Sequence, residues 1–477
     1  MITIGREWLN EGAPSPELLR VLLAEYQRQR VRLDRLKSIY DLHHDIETRV
    51  RLNGLPNHRL INDFPGYIVA ITSGYLVGDP VGYTPPEGAE KPFEALAAAM
   101  KNACVENVDA ELAVDAAIYG KGVELCYADD SADPCVSQVD ARSAFVVYDD
   151  TVEHKPVLGV LLRDKCDRDL VRVGQYVTVY TQRDVIDYER TGNEAPRELD
   201  RKRHFFGGVP MIEYWNNARE IGDFERVLSQ VDAYDVLQSD RVNDKQQFTD
   251  AVFVLKGVGS LGVDDTEEER CDEQGNAVPA SREQRQATPP SVRLRQTRTL
   301  FLPGDGADAG FVTKPDAEGG NETLRQSLAD DIHKFSMVPD LTDEAFAGNA
   351  SGVAMKYKLF GLEQLTKIKE RWFREGLRQR LRLFCHFLAM RGNAAMDADA
   401  IQICFSRSLP VNDLEIAQTV ATYDGLVPQE LLLAQVPFVE DVKAAMQMTR
   451  QEQAQAAKRQ RAVFGTEAFR ETEAPAE

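Results

Sequence analysis

Four aspartate pairs, Asp129-Asp130, Asp149-Asp150, Asp264-Asp265 and Asp330-Asp331, are the side chains in this sequence best suited to holding Mg²⁺ for phosphoryl chemistry. Most fall at expected turns or on exposed helix faces, where solvated carboxylates are the plainer reading. A metal-dependent nuclease or phosphotransferase using these pairs is the enzymatic alternative. Other catalytic motifs are missing: there is no G-x-x-x-x-G-K-[ST] loop, no G-x-S-x-G elbow and no H-E-x-x-H. Gly120-Lys121-Gly122 lacks both the spacing and the hydroxyl residue of a phosphate loop. His43-His44 is the only close histidine pair, and adjacent side chains on a helix diverge by about 100°, a poor metal clamp. Cys104, Cys126, Cys135, Cys166, Cys271, Cys385 and Cys404 contain no C-x-x-C pair. Neither a disulfide framework nor a zinc ribbon is expected, only buried free thiols. The sequence nominates no catalytic residue, no cofactor and no metal site.

Length and charge narrow the classes further. The 477 residues suffice for about three domains. Hydrophobic residues at 43% and charged ones at 28% mark an ordinary globular chain. Acidic side chains number 77 against 56 basic ones, a net charge of −21. That balance argues against a protein that coats DNA through a broad basic face, and does not exclude one that DNA must pass without sticking. The start MITIGREWLN lacks the basic flank and apolar core of a secretion signal. The uncharged run over residues 64–78 is too short, and too interrupted by Pro65, Gly66 and Gly74, to span a bilayer. A soluble protein of a cytoplasm-like compartment, with no membrane partner, is expected.

Periodicity indicates the elements that must position these residues, an α+β, helix-rich arrangement. Residues 16–46 read as an amphipathic helix with Ser15 as N-cap and Pro16 in its first turn. Arg28, Arg30, Arg32 and Arg35 interleave its apolar stripe; a solvated face or inter-subunit contact is the plain reading, and phosphate binding the alternative. Helices over 60–74 and 92–119 follow, the second stopped by Gly120. Short β-branched and aromatic runs at 123–127, 144–148, 157–162 and 176–180, closing near 210–215, predict an antiparallel sheet. Residues 223–250 return to a helical stripe of Val227, Val231, Tyr234, Leu237, Val242 and Phe248, leading into a strand at 251–255.

The insert over 256–316 splits by charge. Residues 264–273 hold seven acids against one arginine, and residues 282–298 five arginines against one glutamate. Opposite blocks suit head-to-tail packing between copies. A helix over 322–338, with Leu324, Leu328, Ile332 and Phe335 on one face, ends at Pro339. The stretch LTDEAFAGNASG, residues 341–352, reads as a mobile loop. A long helix over 353–390 carries nine Lys and Arg against three glutamates. That charge is either a solvated face offset by acidic neighbours or a contact with DNA phosphates or an acidic subunit. A strand at 401–405, a helix at 412–423, a last helix from about 439 and a fraying tail from about 451 complete the chain.

The stretch Ile332-His333-Lys334-Phe335-Ser336-Met337-Val338-Pro339-Asp340-Leu341-Thr342-Asp343-Glu344, continuing through Phe346, Gly348, Asn349 and Ser351-Gly352-Val353-Ala354 to Lys356-Tyr357-Lys358-Leu359-Phe360-Gly361-Leu362-Glu363, resembles the portal protein of tailed double-stranded-DNA bacteriophages. Three other segments are similar to that family in the same order. They are Arg59-Leu60-Ile61-Asn62-Asp63-Phe64 with Gly74 to Pro80; Val209 to Asn217; and Asp232-Ala233-Tyr234-Asp235 with Ser239-Asp240 and Asn243-Asp244. Together these blocks cover the chain from about residue 59 to 390, whereas the insert and the last 80 or so residues match no such pattern.

The resemblance implies a portal fold. Its parts are a wing over 1–222, a first stem helix and strand over 223–255, a small α/β clip over 256–316 and a second stem helix over 317–340. A tunnel loop over 341–352, a long wing helix over 353–392, remaining wing and crown over 393–450 and a tail over 451–477 follow. It implies a homo-oligomeric ring, typically of twelve subunits, at one capsid vertex of the virion and in the host cytoplasm during assembly. The ring has no enzymatic activity of its own and works with capsid and scaffolding proteins. Double-stranded DNA is packaged and later ejected through its channel. The terminase large subunit docks on the clip during packaging, and the head–tail connector or adaptor afterwards. Thr342, Asp343, Glu344, Phe346, Gly348, Asn349 and Ser351 are expected in the loop beside DNA. Asp264, Asp265, Glu267, Glu268, Glu269, Arg293, Arg295 and Arg298 are expected at clip contacts between subunits or with the motor.

Overall fold

The computed structural model describes residues 1–51, 56–192, 194–248, 252–256, 299–302, 308–312, 318–342, 356–407, 413–423, 425–433, 446 and 448–449. Two compact units result: Met1–Asp340 with Gly361–Arg407, and Leu341–Phe360 with Ser408–Glu477.

The first unit opens with strand β1 (Ile2–Ile4), the small hairpin β2 (Leu9–Asn10) and β3 (Ala13–Pro14), and helix α1 (Pro16–Tyr40). Ser15 Oγ accepts the Leu18 N–H at 3.2 Å, as its cap position requires. The helix stops six residues before the expected end. His43 N donates to Ser38 O and Leu42 N to Ile39 O, with Leu42 in the left-handed region at φ 66°. This is a Schellman cap with leucine where glycine is usual, so no residue type announces the stop.

Helix α2 (Phe64–Val77) begins with Asp63 Oδ1 accepting the Gly66 N–H, and strand β4 (Gly82–Thr84) follows. The helix expected over 92–119 is two helices, α3 (Glu90–Asn102) and α4 (Val105–Tyr119), broken where Cys104 adopts φ 51°. The break turns the alanine-rich α4 so that Leu112, Ala113, Ala116 and Ala117 are buried, with the helix packed on α2 and on the strand that follows it. Gly120, at φ 86°, ends α4 as expected; a Cβ there would lie 2.0 Å from the Glu220 carbonyl oxygen.

The strands that follow are β5 (Lys121–Ala128), β6 (Pro134–Val139), β7 (Ala144–Asp149), β8 (Pro156–Cys166), β9 (Arg172–Tyr180), β10 (Asp184–Arg190), β11 (Arg197–Arg203) and β12 (Met211–Trp215). They form two sheets rather than the single expected one. A six-stranded sheet has the order β1-β7-β8-β9-β10-β11, with β1 parallel to β7 and the other pairs antiparallel. A three-stranded sheet has the order β12-β5-β6, and β12 packs on β7 and β8. All seven residues of β11 are exposed, so it lacks the alternation that reveals a strand. Its charges also guard the sheet edge against pairing.

Helix α5 (Leu228–Phe248) follows a single 3₁₀ turn at Glu225–Val227, and α6 (Glu318–Ser336) runs antiparallel to it. Arg241 pairs with Glu322 at 2.9 Å, and Arg325 donates to the Tyr234 hydroxyl at 3.1 Å. Between them in sequence lie β13 (Val252–Lys256), β14 (Thr299–Leu302) and β15 (Asp308–Val312), ordered β14-β13-β15 with β13 parallel to β14. The expected apolar stripes need correction. Val227, Val231, Tyr234 and Ile332 are buried, but Val242, Leu324 and Phe335 are exposed. Beyond Tyr234 the buried residues of α5, among those described, are Asp235, Ser239 and Asn243.

Helix α7 (Phe360–Met390) buries Leu362, Phe373, Leu377, Leu381 and Phe384 in a core shared with α4 and the three-stranded sheet. Strand β16 (Gln402–Cys404) pairs with β4. The second unit contains α8 (Asp413–Tyr423) and α9 (Gln429–Leu433), which pack on each other. The expected last helix from 439 and the tail lie almost wholly outside the described residues. Cys126 and Cys385 are buried as expected, but Cys104, Cys166 and Cys404 are exposed. Among the described residues no helix is long and apolar enough to cross a membrane.

Candidate functional site

Alternate N–H groups of the segment before α2 point at one face of α5. His58 N donates to Asn243 Oδ1 at 2.7 Å, Leu60 N to Ser239 Oγ at 2.9 Å and Asn62 N to Asp235 Oδ1 at 2.9 Å. Two residues of extended chain advance about 6.6 Å and four residues of helix about 6.0 Å, so the two periods run nearly in step. Asn62 Nδ2 adds a second bond to Asp235 at 2.8 Å, and Asn243 Nδ2 donates back to the His58 carbonyl at 3.4 Å. Each of these three helix side chains is fully buried. Left without partners, such groups would cost about 1–3 kcal/mol apiece.

Asp235 is the hub of this ladder. Its other oxygen takes His44 Nδ1 at 2.6 Å, with both side chains enclosed. Burial pulls the His44 pKa down, but the hydrogen bond and charge of Asp235, backed by Asp232 and Asp63, together lift it above the ordinary value. Further along α5, Asp240 collects Arg49 at 2.5 Å and also Arg51. Gln246 Oε1 lies 2.6 Å from His58 Nε2.

Residues 332–339 join the same place. The Phe64 ring meets Tyr234 edge-on at 5.0 Å, and His333 packs on Phe64 and Tyr67 at 5.9 and 5.8 Å. The Tyr67 hydroxyl donates to the Pro339 carbonyl at 2.8 Å. Described parts of three of the four segments that carry the resemblance therefore meet along α5 and at the end of α6.

The fourth segment, 209–217, anchors α7 and the sheets. Glu213 is buried and accepts from Lys121 Nζ at 2.8 Å, the Tyr148 hydroxyl at 3.1 Å and Trp215 Nε1 at 3.2 Å. Burial raises its pKa, yet Lys121 and these bonds outweigh burial and hold it below the ordinary range. Lys121 is thus a buried counter-ion, not part of a phosphate loop. Asn216 Nδ2 donates to Asp223 Oδ1 at 2.7 Å, and Asp223 also pairs with Lys369 of α7.

The basic residues singled out in sequence are largely answered within the chain. On α7, Lys369 and Arg380 are buried ion-pair partners, while Arg374 pairs with Glu370, Lys367 with Glu363 and Arg382 with Asp399. On α1, Arg28, Arg30, Arg32 and Arg35 pair with Glu25, Asp34, Glu225 and Asp45. The aspartate pairs divide up as well. Buried Asp149 accepts from Thr151 Oγ1 at 2.7 Å and Lys155 N at 3.0 Å, pinning its own loop. Asp129 accepts the Ser131 and Asp133 N–H groups in a turn. Asp330 accepts from Gln326, and Asp264-Asp265 lie outside the described residues. Among the described residues no three His, Cys, Asp or Glu side chains converge to hold a metal ion.

Of the loop residues expected beside DNA, Thr342 is described and exposed. Asp343, Glu344, Phe346, Gly348, Asn349 and Ser351 lie outside the described residues. So do Asp264, Asp265, Glu267, Glu268, Glu269, Arg293, Arg295 and Arg298. Sequence reasoning missed the roles of Asp235, Ser239, Asn243 and His44. The available signal was a polar residue at every fourth position of a helix, opposite a segment read in steps of two.

Known proteins are similar to this chain in sequence. The chain is 23% identical over 431 residues to the portal protein of Bacillus phage SPP1, a match covering 85% of this chain and 78% of that one. It is 25% identical over 247 residues to the portal protein of Clostridium phage phiCD119, covering 51% of this chain; here the chain spans only 48% of the relative's length. A profile described as phage portal protein, SPP1 Gp6-like, matches residues 19–461, a range that contains the ladder, the α5–α6 pair and α7. By that match over most of its length, the chain belongs to the phage portal protein family.

Proposed function

We propose that the chain assembles into a closed ring, typically of twelve copies, at one capsid vertex and forms the channel for packaging and ejecting viral DNA. Family membership supports the portal role. One structural observation carries the ring: the α5–α6 pair leaves Val236, Val242, Leu324 and Phe335 between 38% and 50% exposed. An isolated helix pair buries such side chains or does without them. A neighbouring copy would cover them, at about 25 cal/mol per Å² of apolar surface removed from water.

In this reading α5 and α6 are the stem helices and α7 the long wing helix. The segment 256–316 is the clip, on which the terminase large subunit and then the head–tail connector dock. The segment 341–352 is the tunnel loop, and capsid and scaffolding proteins hold the outer parts. The ring turns over no substrate of its own. A charge of −21 per subunit makes an acidic body to which DNA adheres weakly, as translocation requires.

The test is the double variant Leu324→Asp, Phe335→Asp. It should give folded but unassembled subunits by circular dichroism and light scattering. Rings of normal yield from that variant would overturn the assignment of α5 and α6 to the subunit interface.

A further inference from the structure

We propose that residues 58–62 form a register-locked splint that fixes α5 to the body of the subunit, with Asp235 as its positioning residue. The functional consequence rests on the portal reading; the splint itself does not.

The ladder has defined ends in both directions. If the segment slipped one rung toward the start of α5, Asn62 would face Val231, which offers no acceptor. Pro56, which has no N–H, would then come opposite Asn243. If it slipped the other way, Phe64 would have to supply the N–H for Asp235. The Phe64 N–H is already committed to the Asn62 carbonyl at 2.8 Å, and Phe64 begins α2 behind its Asp63 cap. Only one register satisfies all three rungs.

An apolar contact between the same elements would tolerate sliding, because dispersion and burial are not directional. A hydrogen-bond ladder with closed ends does not, because each displaced rung strands a buried acceptor. The rungs span positions 235 to 243, the middle of α5, so tilting that helix requires breaking bonds to backbone rather than shifting side chains. His44 secures the hub from behind, facing Asp235, Asp232 and Asp63, and its Nε2 is buried with no hydrogen-bond partner. Arg49 and Arg51 tie the neighbouring turn through Asp240. In a working portal, this rigidity confines DNA-driven movement to parts other than α5.

The experiment uses the full-length assembled protein and hydrogen–deuterium exchange at the amides of residues 58, 60 and 62. Ser239→Ala should raise exchange at Leu60 at least tenfold while ring yield is kept, and Ser239→Thr, which retains the hydroxyl, should restore protection. Asp235→Asn keeps an acceptor for Asn62 but loses the charge that holds His44. Protection should fall in the wild type as pH rises past the ordinary histidine range and the His44 charge facing Asp235 is lost, and should stay flat in this variant. Unchanged exchange in Ser239→Ala would overturn the splint. So would a pH profile unaffected by Asp235→Asn. Packaged DNA per capsid is read in parallel. Loosened amides with normal packaging would leave the ladder as mere packing and remove its positioning role. Wild-type rings that pass no DNA would instead refute the portal reading and leave the exchange result standing.

Discussion

Arg380 of α7 donates through Nε to both carboxylate oxygens of Glu124 on β5, at 2.8 and 3.0 Å, across 256 positions of chain. The pair is fully buried, and the Tyr214 hydroxyl donates to the same carboxylate at 2.6 Å. Asp109 Oδ1 stands 2.6 Å from the guanidinium as well, so one cation faces two carboxyl groups. Burial raises the Asp109 pKa by more than Arg380 lowers it. Glu124→Gln should cost about 3–5 kcal/mol, because it breaks the buried pair that the guanidinium Nε makes with both carboxylate oxygens. Asp109→Asn should cost less than that, since Glu124 still holds the guanidinium. Urea unfolding of the unassembled subunit measures both.

Gly376 sets the approach of α7 to β12. A Cβ there would lie 2.5 Å from the Tyr214 ring, which is held by its own hydrogen bond and packed on Phe373 at 4.8 Å. Helix propensity favours alanine by about 1 kcal/mol. Overpacking a rigid ring costs about 1–3 kcal/mol, so Gly376→Ala should be a net loss of stability. A raised melting temperature would show that the ring moves aside freely.

At the end of α1 the reverse holds. Leu42 is 45% exposed and sits at φ 66°, so its side chain gains little from burial and strains the backbone. Leu42→Gly should stabilise by about 0.5–1 kcal/mol, the αL penalty exceeding the added unfolded-state entropy. The urea midpoint should rise while the slope stays constant.

Asp115 on α4 gives a pH dependence. Burial pushes its pKa up to about 7, with Asp140 and Glu111 adding to the rise and the Gln138 hydrogen bond and Lys37 opposing it. The folded state then binds a proton that the unfolded chain releases near pH 4. This contribution to stability is present below that pH and is lost as pH rises through about 7. Asp115→Asn should match the wild type near pH 4 and exceed it by about 4 kcal/mol at pH 8, the upper bound set by a pKa raised from 3.8 to about 7. A constant difference at all pH values would contradict the burial argument.

Apolar periodicity made the long helices legible, because Val227, Val231 and Tyr234, or Phe373, Leu377 and Leu381, recur at helical steps and face a core. It misjudged where polarity is buried. Val242 looked like the continuation of a stripe, yet its neighbour Asn243 is inside, bonded to the His58 backbone. It also failed where backbone conformation rather than residue type decides, at Leu42 and Cys104, whose left-handed geometry carries no glycine signature. Strand β11 was hidden because its side chains are all solvated, so its main-chain pairing with β10 leaves no alternation in the sequence. Arg380 read as surface charge and Lys121 as part of a helix stop, because their partners, Glu124 and Glu213, lie 256 and 92 positions away.

The central claim is that copies of this chain close into a ring around a DNA channel. Electron microscopy of the purified protein, and of the same protein at the vertex of assembled capsids, tests it most directly. The expected result is a closed ring with a central opening wide enough for a duplex, present at one vertex of each capsid. Monomers in solution together with capsids that fill with DNA in the absence of this chain would contradict it.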